Sequence, residues 1–277
     1  MSRALPLRHP GGVLTRIVAR KGVDLAARWQ ARGRPSKVPD DAPPPRDFAG
    51  ALAGSGVALI AEIKPRSPSR GDLLGDRDPL ALAHAYGPRA AAVSVLCDGP
   101  FFGGSLALLS RVRQAVRQPV LCKDFIIDPA QLIEARGAGA DAVLLMAALL
   151  PPTSMKRLLA RAADLGLAAL VEVHDAVELA EVLQTDATLI GVNSRDLRTM
   201  SIDLARMGEL AAQVPGDRMV IGESGIESAE DVAALADRVG AVLIGSAVAG
   251  DPDPGRKLDA LGWPASCGGR WRGTPCR

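Results

Sequence analysis

The chain has 277 residues (28.8 kDa), is 48% hydrophobic and 23% charged, and carries a formal net charge of +2. That length can bury a substantial core and suits one large α/β domain. The near-neutral charge argues against a dedicated nucleic-acid binder, which presents a basic face, and no apolar run reaches the ~18 residues of a membrane-spanning helix.

The first twelve residues hold arginines but no apolar h-region, so no signal peptide is read there. Residues 13–30 place Val13, Ile17, Leu25 and Trp29 at mostly helical spacing, with charges between them. Residues 31–46 are polar and proline-rich, which predicts a linker. From Val57 onward, short apolar, β-branched runs alternate with longer stretches of helical period. The runs cover 57–63, 91–96, 119–122, 142–145, 168–173, 188–192, 218–221 and 241–244. Near-continuous apolar strands predict a sheet buried on both faces, hence parallel. Eight strand–helix units predict a closed (β/α)8 TIM barrel over 49–261, preceded by an N-terminal helical extension and linker over 1–48. A doubly wound open sheet is the rival, but Glu62-Ile63-Lys64-Pro65 stands where its glycine-rich turn belongs. Residues 262–277 lack periodicity and are expected to form a disordered, dispensable tail, with docking of Trp263 on the barrel as the alternative.

The four cysteines show no CxxC spacing and are too few and scattered for a disulfide framework or zinc site, and the three histidines lie far apart. The expectation is a cytoplasmic protein with no metal, no cofactor, and no nucleic-acid or membrane partner. Arginine is the ordinary cation, with 27 Arg against 6 Lys, so each lysine invites a question.

Barrel active sites lie at the C-terminal ends of the strands. There the predicted strands end in Glu62 and Lys64, Lys123, Glu172, Asn193 with Arg195, Glu223-Ser224-Gly225, and Gly245-Ser246. Three carboxylates, two lysines and the chain's one asparagine converge on a single rim. An ion-pair ring that merely closes the barrel mouth is the competing reading, since buried charges must be paired. Gly225, Gly245 and Ser246 follow strands seven and eight, where barrels commonly bind phosphate through backbone N–H groups, with Lys64 as the candidate cation. Three of the four phenylalanines, Phe101, Phe102 and Phe125, fall in strand-exit loops, as a flat apolar substrate ring would require.

These residues resemble a known family. The stretch IAEIKPRSPSRG (60–71) is similar to the signature of indole-3-glycerol phosphate synthases. The likeness continues through SVLCDGPFFGGS (94–105), PVLCKDFIIDPAQ (119–131), GADAVLLMAALL (139–150), LVEVHD (170–175), IGVNSRDL (190–197) and ESGI (223–226). The resemblance implies a (β/α)8 barrel with an N-terminal extension over the active-site face. It also implies a carboxy-lyase of tryptophan biosynthesis that needs no cofactor. Its substrate is a phosphosugar, 1-(2-carboxyphenylamino)-1-deoxyribulose 5-phosphate, and its products are indole-3-glycerol phosphate, carbon dioxide and water. By this likeness Lys123 is the general acid and Glu172 an acid/base group. Glu62 and Lys64 serve the dehydration, and Asn193 and Glu223 complete the catalytic set. Ser67, Arg195 and Ser224 contact the substrate. Pro68, Phe102, Leu121, Phe125 and Met146 form the apolar pocket for its ring. Lys64, Gly225, Gly245 and Ser246 hold its phosphate.

The sequence departs from the family pattern in a few places. Ser194 stands where many relatives have asparagine, and the turn at Tyr86–Arg89 is about one residue short. The linker is unusually rich in proline, and the segment after Leu261 has no counterpart. Another phosphosugar barrel enzyme, such as phosphoribosylanthranilate isomerase or an epimerase, is the competing reading, and the isomerase chemistry would want a Cys or Asp pair at the ends of strands one and six. Those ends here carry Glu62/Lys64 and Asn193. A non-catalytic barrel would have lost an acid/base residue, and none is missing. A monomer or weak homodimer is expected.

Overall fold

The computed structural model describes residues 5–8, 11–68, 70–196 and 199–271. His9, Ser69, Leu197 and Cys276 lie outside the described residues.

Eight strands form the barrel: β1 (Val57–Ile63), β2 (Ala92–Leu96), β3 (Val120–Lys123), β4 (Ala142–Met146), β5 (Ala168–Val173), β6 (Leu189–Asn193), β7 (Met219–Glu223) and β8 (Ala241–Ile244). Each pairs in parallel with the next, and β8 pairs in parallel with β1, so the sheet closes on itself. All seven residues of β1 are buried, as are those of β2, β4 and β8. The runs lack the alternation of a half-solvated strand because helices cover the sheet from outside while side chains fill the barrel within. The register aligns the strand exits: Leu96 lies beside Lys123, Met146 beside Glu172, and Asn193 beside Glu223.

The loops that leave these strands are tied down at the following helix. Ser105 accepts from Leu108 N–H, Asp175 from Glu178 N–H, Asp203 from Arg206 N–H, and Ser228 forms a capping box with Asp231. No helix among the described residues is long and apolar enough to cross a membrane.

The extension begins with α1 (Gly12–Arg32), whose residues Val13, Leu14 and Ile17 line the cavity at the strands' C-terminal mouth. Residues 33–47 contain no helix or strand, yet they are fastened along the barrel. Pro39, Pro43 and Pro45 pack where Gly137, Gly139 and Gly166 leave room for them. The Arg46 N–H donates to Asp141 Oδ1 at 2.7 Å, and its guanidinium donates to the carbonyls of Val116 and Gln118, each at 2.8 Å. Helix α2 (Phe48–Leu52) follows, with Phe48 and Leu52 buried.

The expectation of a disordered tail is corrected for residues 262–271. Trp263 is fully buried, and its Nε1–H donates to Val57 O at 3.2 Å. Arg270 and Trp271 form β9, antiparallel to the start of β1. The Arg270 guanidinium donates to the carbonyls of Ala51, Leu52 and Ala53, joining this segment to α2. Cys267 is buried and disulfide-bonded, against the expectation from cysteine spacing. A short segment without periodicity can still dock when it carries one large apolar anchor and the barrel's N-terminal end offers a place for it.

Candidate active site

Alternation along β1 aims Glu62 into the barrel, and Lys64 lies just beyond the strand on the same side. They form an ion pair. Lys123, at the end of β3, reaches the middle of the mouth. Its Nζ lies 2.5 Å from Glu223 Oε2, 3.6 Å from Glu62 Oε2 and 3.9 Å from Glu172 Oε2. All three glutamates are buried. Burial disfavours the Lys123 ammonium, but the three carboxylates outweigh it and raise its pKa well above the ordinary lysine value.

The three carboxylates differ. Burial favours protonated Glu62, yet Lys64 and Lys123 prevail and hold it below the usual range. Burial likewise opposes ionised Glu172, but His174, Lys123 and Asn193 pull it down to about 2. Glu223 has Lys123 as its counter-charge but feels burial and two neighbouring carboxylates, and it is raised to about 7. Two carboxylates are therefore fixed as anions, and the third can hold or release a proton near neutral pH.

Two glycines make room for this cluster. A Cβ at Gly191 would clash with Glu223 Oε1, and one at Gly245 would clash with Glu62 Oε1. At the exit of β7, Ser224 and Gly225 both adopt left-handed backbone, with φ of 66° and 77°. For serine that conformation is strained, and such strain gathers at functional sites. The Ser194 hydroxyl donates to Ser224 O at 3.0 Å and steadies the turn.

One cavity unites nearly all the predicted site residues. Glu62, Lys64, Lys123, Glu172 and Asn193 contribute to it, as do Ser67, Pro68, Phe102, Phe125, Met146, Arg195, Ser224, Gly225, Gly245 and Ser246. Phe102 and Phe125 form a tilted pair with centroids 5.9 Å apart. Arg195 is oriented by Asn193, whose Oδ1 accepts the Arg195 N–H at 3.0 Å. Two predicted residues are placed differently. Leu121 is fully buried and off the cavity wall, because alternation puts it beneath Lys123 inside the barrel. Glu223 is not part of the wall either; it sits behind Lys123 and acts on the cavity through it.

His174 was missed. Its Nε2 lies 3.2 Å from Glu172 Oε1 and its Nδ1 3.2 Å from Glu178 Oε2. Burial disfavours the imidazolium, but the two glutamates raise its pKa to about 10. The available signal was its position two residues after Glu172, which keeps both on one side of the strand. Gly191 was also missed, and only the packing reveals it.

A family model described as "Indole-3-glycerol phosphate synthase" matches residues 14–261. The chain is 50% identical over 216 residues to the "Indole-3-glycerol phosphate synthase" of Rhodopirellula baltica, covering 77% of this chain and 83% of that protein. It is 45% identical over 254 residues to the "Indole-3-glycerol phosphate synthase 2" of Streptomyces coelicolor, covering 90% and 98%. With the protein of the same family name in Chlorobium chlorochromatii it shares 46% identity over 239 residues. With a matching model over most of its length and relatives of this similarity, the chain belongs to the indole-3-glycerol phosphate synthase family.

Proposed function

We propose that the mouth cluster carries out the family reaction on 1-(2-carboxyphenylamino)-1-deoxyribulose 5-phosphate with the following division of roles. The aromatic carbon bearing the carboxylate attacks the ribulose carbonyl, and a carbon–carbon bond forms. Lys123 donates a hydrogen bond and then a proton to the developing alkoxide, which becomes a hydroxyl. Glu223, with a pKa of about 7 and 2.5 Å from Lys123 Nζ, returns a proton to that lysine. Carbon dioxide then leaves, and its bonding electrons restore the aromatic ring without an electron-sink cofactor. Dehydration follows. Lys64, held by its ion pair with Glu62, protonates the departing hydroxyl, which leaves as water, and the Glu172 carboxylate accepts the one proton lost from the ring-closed intermediate.

Phe102, Phe125, Pro68 and Met146 face the substrate's aromatic ring in this reading. The N–H groups around Gly225, Gly245 and Ser246, with Lys64, face its phosphate. Ser67, Asn193, Arg195 and Ser224 orient the carboxylate and hydroxyls between them. The carrying observation is the position of Lys123: one ammonium, ringed by three glutamates, in one cavity with an aromatic pair and a glycine-rich rim.

Turnover of Lys123→Ala tests it. A positioned general acid contributes about 10²–10⁴-fold and lost oxyanion stabilisation adds to that, so kcat should fall at least about 10³-fold. Substrate Kd should stay within a few-fold. Retention of more than a tenth of wild-type kcat would refute the role. We also propose a cytoplasmic enzyme that is a monomer or weak homodimer, which sedimentation across a concentration series would test.

A further inference from the structure

Leu14, Ile17, Lys21 and Leu25 are the buried residues of α1, spaced three and four apart, so a leucine would complete the stripe at position 21. Lys21 stands there instead. Its side chain is 6% exposed, and its Nζ lies 3.0 Å from Asp98 Oδ2 and 2.6 Å from Asp124 Oδ1. Both aspartates are buried, and neither belongs to the catalytic cluster.

Each aspartate also holds a phenylalanine-bearing loop. Asp98 follows β2, and its Oδ1 accepts the Phe101 N–H at 3.0 Å, capping the helical turn Gly99–Phe102. Asp124 follows β3, and its Oδ1 accepts the Phe125 N–H at 2.8 Å. One ammonium thus joins three segments: the loop that carries Phe102, the loop that carries Phe125, and the helix that covers them. The same helix supplies Val13, Leu14 and Ile17 to the cavity wall.

Attachment alone does not call for this arrangement. A buried ion cluster carries a heavy desolvation cost, and an apolar residue often does as well or better for stability. What a cluster adds is register, because the ammonium has a defined place only when both carboxylates are in position. In an arginine-rich chain the choice of lysine fits, since a compact ammonium with three donors can sit between two carboxylates where a planar guanidinium would not.

We infer that Lys21 is a positioning residue for the aromatic subsite. Through Asp98 and Asp124 it sets the spacing of Phe102 and Phe125 and seats α1 over them, and so governs affinity for the ring-bearing half of the substrate. The inference rests on the reading of that phenylalanine pair as the ring subsite.

The experiment compares two ligands on the full chain: the substrate with its carbonyl reduced to an alcohol, which carries both ring and phosphate, and inorganic phosphate alone. For Lys21→Met, the Kd of the reduced substrate should rise at least about tenfold, and the competitive inhibition constant of phosphate should stay within twofold. Asp98→Asn keeps the acceptor for Phe101 N–H and one of the two ion pairs. It should show the same selectivity at about threefold or more, and it decides the matter if Lys21→Met does not fold. Unchanged affinity for the reduced substrate, or equal weakening of both ligands, would overturn the inference and leave Lys21 a plain staple. Phe102→Ala serves as the separate control. If that variant binds the reduced substrate like wild type, the ring subsite itself is misplaced, whatever Lys21 does.

Discussion

Deleting everything after Leu261 should cost the chain much of its stability and little of its chemistry. Trp263 is fully buried against the start of β1, and removing a buried tryptophan side chain typically costs about 3–5 kcal/mol. Arg270 donates to three carbonyls of the α2 region. Hydrogen bonds from charged groups contribute about 1.5–3 kcal/mol when buried, and about 1 kcal/mol is a fair allowance for this partly exposed set. The Leu59 N–H, bonded to Gly269 O at 3.0 Å, also loses its partner. The sum is about 4–6 kcal/mol, against about 5–15 kcal/mol for the stability of a whole domain. At about 2–4 °C per kcal/mol for a chain of this size, the melting temperature should drop by about 10 °C or more. The cluster proposed to be catalytic lies at the opposite end of the barrel, so kcat well below the melting transition should stay within about twofold. Thermal melts of the full chain, the truncation and Trp263→Ala check this, with Trp263→Ala expected to reproduce most of the loss. A truncated chain melting within 2 °C of the parent would refute the reasoning.

Other expectations concern the mouth. His174→Gln removes the cation that holds Glu172 at about 2. Burial remains, so the Glu172 pKa rises, and the acid limb of kcat/KM should move up by at least about one pH unit; an unmoved limb would break the link. In the wild-type protein the His174 imidazolium, raised to about 10, contributes stability that is complete below its ordinary value near 6.5. That contribution is lost as pH climbs through 10, so melting temperatures should decline over this window more in wild type than in His174→Gln. Gly245→Val would drive a side chain into Glu62 and Lys64. It should raise KM at least tenfold while lowering kcat, and wild-type kinetics would show that the rim has slack.

The barrel and its rim were legible because both depend on short-range pattern. Apolar runs of strand length marked the eight strands, and alternation from Glu62 to Lys64 was enough to aim both side chains. Lys21 was not legible, since a lysine in a helical stripe reads as a polar interruption until Asp98 and Asp124 are known to meet it. Only its motif points Leu121 to the expected ring pocket, whereas its position two residues before Lys123 puts it one layer lower. Trp263 is the anchor the sequence offers in its segment, but that one large side chain outweighs the missing periodicity around it shows only in the packing.

The strap between α1 and α2 has a consequence for how the chain can vary. Its 15 residues, 33–47, are pinned by proline–glycine contacts and by Arg46. At about 3.3 Å per extended residue, even one residue gained or lost displaces an end by a noticeable fraction of a helical turn. Loops of this composition ordinarily drift in length between relatives. Here the count of residues works as a ruler that sets where α1 comes to rest, so substitutions along it should be tolerated far better than insertions or deletions.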